Sequence, residues 1–319
     1  MTNEKQMRGL EIARGYYDAY GAEMLRERFP DIAAHAACGL CGSGSECFGY
    51  DDGVSRDHDF EPGFCIFVPD DGEIDRRRLF ELEREYSRLP REFAGLRRTP
   101  LKPVGGARHG VMNRDEFFRA RIGVADGRLT AREWLALPEN SLAEATNGEV
   151  FHDGDGEFTA IRRRIAEYPR PVMLKKLAGR LLLAAQSGQY NYARCIGHGE
   201  SAAAQFALAE FVRHAAHAAF LLRGRYAPYY KWIFRALRDL PDFGAFAETF
   251  EFLLTTDNSS DMREIKIAAV EDVCAALARD VEAQNIAPAD VELERLAYAV
   301  NDAIDDPDLR AMHILAAVE

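Results

Sequence analysis

Two apolar segments, residues 32–41 (IAAHAACGLC) and 64–68 (FCIFV), bracket a polar stretch at residues 42–59 that reads GSGSECFGYDDGVSRDHD. This pattern predicts a strand, a glycine-rich turn and a second strand that opens with two alternate aspartates. Successive side chains of a strand point to opposite faces, so Asp57 and Asp59 would share one face while His58 points away. Two carboxylates held that close repel unless a cation lies between them. No other part of the chain restricts the fold as much.

Such a pair beside a turn of exposed amides suits Mg²⁺ (or Mn²⁺) carrying the phosphates of a nucleotide, because Mg²⁺ takes one or two carboxylates together with phosphate oxygens and water. The turn Gly42-Ser43-Gly44-Ser45 can bring N–H groups against a phosphate without a Cβ in the way, and Ser45 adds a hydroxyl. These parts fit phosphoryl or nucleotidyl transfer, in which the metal bridges carboxylates and phosphates. Read by composition alone, the same residues make an ordinary surface turn.

Gly44-Ser45, Gly49, Ser55 and the triplet Asp57-His58-Asp59 resemble the glycine-serine plus aspartate-x-aspartate signature of the polymerase-beta-like nucleotidyltransferases. The longer string GSECFGYDDGVSRDHDFEPGFC, with TNGEVFHDGDGEF, SGQYNYARC and YAPYYKW, is similar to an uncharacterised bacterial family built on that plan. One departure is Arg56, which separates Ser55 from the first aspartate where the superfamily has serine directly before it. The resemblance implies an α+β fold: an N-terminal nucleotidyltransferase domain, with a mixed sheet and flanking helices, followed by an all-α helical bundle. It implies that Asp57 and Asp59 hold metal, that Gly44, Ser45 and Ser55 meet the nucleotide, and that a third carboxylate lies on a neighbouring strand. Glu149 and Asp153 are the candidates for this ligand or general base, with Asp153 the first choice. It also implies a phosphate contact from Lys231, in the segment YAPYYKW.

Composition sets limits around this reading. The 319 residues allow one large domain or two ordinary ones, and 47% hydrophobic with 29% charged residues describes a globular chain. A formal net charge of −12 argues against a surface for long nucleic acid, which needs clustered Lys and Arg. No apolar run reaches bilayer length, and the N-terminus lacks a signal peptide's apolar core, so a cytoplasmic protein is expected. The six cysteines pose a zinc alternative through Cys38, Cys41 and Cys47 with His35 nearby, but no second C-x2-C pair follows. Buried thiols without disulfides are the expectation.

Helices are predicted over residues 3–28, 74–89 (with Leu79, Phe80, Leu82 and Tyr86 near one face) and 115–122, and around Trp134 as far as residue 145, interrupted at Pro138. Residues 109–112 and 148–151 are predicted strands, and 90–108 a loop. Beyond residue 157 the pattern is helical, which places the boundary between a catalytic domain at 1–157 and a bundle at 158–319. Within the bundle, 200–222 is read as a core helix carrying Phe206, Phe211 and Phe220, and 188–194 as an interruption. Its Tyr190, Tyr192 and Arg194 suit contact with a base or an acceptor.

The expected function is transfer of a nucleoside monophosphate from an NTP to a hydroxyl of a small, antibiotic-like molecule or a protein. The alternative is a non-catalytic nucleotide-binding or antitoxin-like module of the same fold. The acceptor, the base and the oligomeric state are not encoded in these motifs.

Overall fold

The computed structural model describes residues 7–52, 61–70, 72, 74–98, 109–289 and 292–318. The chain is α+β and divides into two compact units. One holds the N-terminal region to Arg128 together with 141–166; the other holds Leu129–Asn140 and everything from Glu167 onward.

The first unit is built on a mixed sheet. In chain order the strands are β1 (Ala37–Leu40), β2 (Cys65–Val68), β3 (Glu92–Phe93), β4 (Leu96–Arg97), β5 (Gly110–Asn113) and β6 (Glu149–Asp153). Among the described residues, β3 and β4 form a separate hairpin and the other four make one sheet in the order β5-β2-β1-β6. β1 is antiparallel to β2 and β6, while β2 and β5 run parallel. Both faces of β2 are buried, which explains its unbroken apolar sequence. Phe64, Ile66 and Val68 join Tyr16, Tyr17, Leu82 and Tyr86 on one side. On the other, Phe67 lies 4.8 Å from Phe117 and 4.4 Å from Phe158, ring centroid to centroid. Helices therefore cover the sheet on both faces.

The apolar run 32–41 is not one strand. Pro30 opens a short helix, Pro30–Ala33, and the strand is confined to Ala37–Leu40. The predicted loop at 90–108 contains the β3–β4 hairpin, and the predicted strand at 148–151 runs on to Asp153. Helix Arg76–Arg88 buries Leu82 and Tyr86 but leaves Phe80 65% exposed, so Phe80 does not share the face of those two. The Tyr86 hydroxyl donates to the Phe64 carbonyl at 2.7 Å and accepts from the Phe64 N–H at 3.0 Å. That bracket fixes the backbone where the chain enters β2.

The second unit is helical. Helix Arg170–Ala184 is buried nearly all round, and it packs against Ser201–Leu222 and Leu293–Asp302. The predicted interruption at 188–194 is a π-helix, Ala185–Tyr192, continuing into Ala193–Gly197. Gly188 does not break the helix. It lets Phe211 approach, since a methyl group there would lie 2.4 Å from the ring. Gly188→Ala is therefore expected to lower stability by about 1–3 kcal/mol, read as a lower midpoint in thermal unfolding. Phe206, expected in the core, is 71% exposed. The last helix of the unit is Pro307–Ala311.

The expected boundary at 157/158 differs from the division in the structure. Helix Glu157–Arg164 stays with the sheet because Phe158 packs on Phe67 and Phe117. Leu129–Asn140 belongs with the bundle, where Trp134 packs on Tyr168 at 5.4 Å and Lys176 donates to the carbonyls of Leu135 and Leu137. Among the described residues, no helix is long and apolar enough to cross a membrane.

Candidate functional site

The strand register gathers one end of the sheet. Leu40 pairs with Glu149, Gly39 with Cys65, and Cys65 with Gly110, so the end of β1 meets the starts of β6, β2 and β5. The glycine turn leaves β1 at this end. Gly42 has φ of +114° and Gly44 φ of +147°, conformations that an L side chain rarely adopts. Asn147 pins the turn by pairing with it as a strand would. Its Oδ1 accepts from the Gly42 N–H and its Nδ2 donates to the Gly42 carbonyl, both at 2.8 Å. Behind it, Arg162 donates to the carbonyls of Thr146 and Asn147 and lies 3.6 Å from the Cys41 thiol. The turn is thus a fixed object held by side chains from a distant part of the chain.

Ser45 precedes the short 3₁₀ segment Glu46–Phe48, and its carbonyl accepts from the N–H groups of Phe48 and Tyr50. The buried Glu46 carboxylate folds back over the turn: its Oε2 lies 3.5 Å from the Ser45 hydroxyl, and a methyl group on Gly44 would sit 2.5 Å from Oε1. Glu46, Glu61 and His109 line a crevice of about 10 Å³ with Leu40 and the first helix, Gly9–Tyr16. The volume matches a single water.

Ser55, Asp57 and Asp59 lie outside the described residues. They stand in the sequence between this turn and Glu61, ahead of β2. The two candidates for a third carboxylate are both on β6, which pairs with β1 and not with β2. Glu149 is at the turn's end of the sheet, whereas Asp153 pairs with Ala37 four residues further along, roughly 13 Å away at strand spacing. The register thus puts Glu149, and not Asp153, beside the turn. Glu149 is in an ion pair with Arg14. Asp153 accepts the Thr159 N–H at 2.8 Å through Oδ2, while its buried Oδ1 makes no hydrogen bond. Both line an open groove of about 550 Å³ between β6 and helix Glu157–Arg164. Among the described residues, no three His, Cys, Asp or Glu side chains are placed to share a metal ion. All six cysteines are unbridged, and all but Cys195 are buried.

In the helical unit, Lys231 is exposed on the segment Tyr230–Trp232, with Nζ 4.9 Å from the centre of the Trp232 ring. Tyr190 is exposed and the Arg194 guanidinium lies 5.0 Å from its ring. Tyr192 does not share that surface. Its ring is fully buried and its hydroxyl donates to Asn258 at 3.2 Å, which corrects the grouping of the two tyrosines. Successive positions on a helix point in different directions.

A second polar cluster has no counterpart in the sequence reading. Glu139, 96% buried by its 4% exposure, lies 3.3 Å from Arg180 and 2.9 Å from the Nδ1 of His217. Burial pushes the Glu139 carboxyl up, but His217, Arg180 and Lys176 together outweigh it and hold the group at about 2. Arg180 also donates to His214 Nδ1 at 3.2 Å, and His214 Nε2 faces Glu210 at 3.4 Å. Burial, then the charges of Arg180, Arg213 and His217, bring the His214 imidazole down to about 3. The faint signal in the sequence is a cation set inside apolar runs, as with Arg180 in LAGRLLLAA.

That depression has a measurable sign. The unfolded chain protonates His214 near its ordinary 6.5 while the folded chain keeps it neutral, so stability falls as pH drops from about 6.5 toward 3. Glu139 adds its own loss only below about 4.5, where an unfolded glutamate takes up a proton. His214→Gln, which keeps one acceptor and one donor, is expected to flatten the slope of unfolding free energy between pH 6.5 and 4.5. Denaturant titrations at several pH values read that slope directly; an unchanged slope would exclude His214 as its source.

Against known proteins, residues 134–233 match a family model described as a domain of unknown function (DUF4037). No curated protein matches the chain. A nucleotidyltransferase-like protein from Exiguobacterium sibiricum 255-15 aligns in structure at a TM-score of 0.37 and 10% identity, covering 81% of this chain and 77% of that one.

Proposed function

We propose that the chain is a Mg²⁺-dependent nucleotidyltransferase that moves a nucleoside monophosphate from an NTP to a hydroxyl of a small molecule or protein. The observation that carries this reading is the glycine turn. It is fixed by Asn147 at the end of the sheet where β2 and β5 begin, and the aspartate-x-aspartate sequence lies between it and β2.

In this reading Gly44 and Ser45 offer an amide and a hydroxyl to the β- and γ-phosphates. Asp57 and Asp59 supply hard oxygen donors, the chemistry Mg²⁺ selects. The bound ion supplies charge neutralisation at the transferring phosphorus. Glu149, at the turn's end of β6, is the better placed partner for the acceptor hydroxyl, although it must leave Arg14 to accept a proton. Asp153 is the second candidate. Lys231 would meet phosphate, and Tyr190 and Arg194 would meet the base or the acceptor.

The experiment is incubation with each labelled NTP, Mg²⁺ and a panel of aminoglycosides, lincosamides and the protein itself, reading transfer by mass. Absence of pyrophosphate release with every NTP and acceptor would count against catalysis. One observation favours the non-catalytic reading: the Glu46 carboxylate already lies over Gly44, where it opposes a phosphate. Nucleotide binding that ignores Mg²⁺ in calorimetry would support that module instead.

A further inference from the structure

Arg14, Arg162 and Arg121 stand at the turn's end of the sheet, and the first two are occupied. Arg14 is paired with Glu149, and Arg162 is spent on the carbonyls of Thr146 and Asn147. The third, Arg121 on helix Arg114–Ile122, lies with its guanidinium carbon 3.9 Å from the centre of the Phe117 ring, and Nη1 donates to the Phe117 carbonyl at 3.0 Å. Its nearest carboxylate oxygen, on Glu144, is 3.9 Å away, the outer limit of an ion pair. Nε is buried without a hydrogen bond, and among the described residues Nη2 makes none. Nη2 lies against the glycine turn, where a methyl group on Gly42 would come within 2.8 Å of it. The side chain keeps 19% exposure.

We propose that Arg121 is a phosphate-binding residue, holding the triphosphate of the NTP at the first glycine of the turn. This rests on the nucleotidyltransferase reading and adds to it the cation that the turn needs. A guanidinium already desolvated on one face by Phe117 loses little further hydration on meeting phosphate, and its charge offsets that of Glu46 over Gly44. The glycine at position 42 is what admits the guanidinium so close to the backbone.

The test uses inorganic triphosphate with Mg²⁺ as the probe, in calorimetry on the full chain. Arg121→Met is expected to weaken binding at least tenfold and to raise KM for NTP more than it lowers kcat, whereas Arg121→Lys should retain most of the affinity. Wild-type protein that binds triphosphate while Arg121→Met binds it equally well overturns the assignment of Arg121 and leaves the transferase reading standing. Wild-type protein that binds no triphosphate overturns both. Because Arg121 also packs on Phe117, a measurement on the unaltered chain stands beside the variants. Triphosphate should protect Arg121 from phenylglyoxal, read by peptide mass, and an unchanged rate of modification would overturn the proposal.

Discussion

Asp57→Asn with Asp59→Asn is expected to reduce metal-dependent pyrophosphate release to background while leaving the thermal midpoint unchanged or higher. The first half follows from charge: two amides cannot hold a divalent ion between themselves and a triphosphate. The second follows from repulsion if the two side chains sit side by side as proposed, since two adjacent carboxylates without a cation cost stability and their amides do not. The two readouts separate the explanations. Loss of both activity and folding would mark the aspartates as structural, and full turnover in the double variant would end the transferase reading. Single variants sharpen the result, because one remaining carboxylate retains partial metal affinity and its loss should be recovered in part by raising Mg²⁺ or Mn²⁺.

Glu139→Gln should destabilise the helical unit by about 3–5 kcal/mol, the usual cost of removing one partner from a buried ion pair. The substitution keeps the shape and removes the charge. What remains is Arg180, 8% exposed and stripped of its ion pair with Glu139. Glu139→Leu combined with Arg180→Met removes both charges and should recover much of the loss, since apolar replacements of a buried pair are often neutral or better. Unfolding by denaturant, followed by near-ultraviolet signals of Trp134 and its neighbours, reads the unit directly. A cost below about 1 kcal/mol for Glu139→Gln would mean that water already balances these charges.

Much of the architecture could be read from local chemistry. Asn113 caps helix Arg114–Ile122 by accepting from the Glu116 N–H at 2.9 Å, and Gly123 closes it in the left-handed region, so both ends are written in the sequence. Thr130 and Glu133 form a reciprocal capping box in the same way. The π-helix at Ala185–Tyr192 had no such signal, because Gly188 reads as a breaker until Phe211 is known to need its space. Burial of charge was equally hidden. Lys266 is fully buried, with Nζ donating to the Thr256 carbonyl at 2.8 Å, to Asn258 and to Gln205, the last of them 61 residues away in the chain. At the candidate site the turn and its glycines were legible, but Arg121 and Asn147 were not. Each lies about 80 to 105 residues from Gly42 in sequence, and only the fold brings them to it.

The excursion of Leu129–Asn140 into the second unit has a practical result for anyone dividing this gene. Cutting before residue 158 to isolate the helices would discard Glu139 and the Leu135 and Leu137 carbonyls, and Arg180 and Lys176 would then face an unlined gap. A fragment beginning at 129 retains them, and it is the shorter fragment that should precipitate.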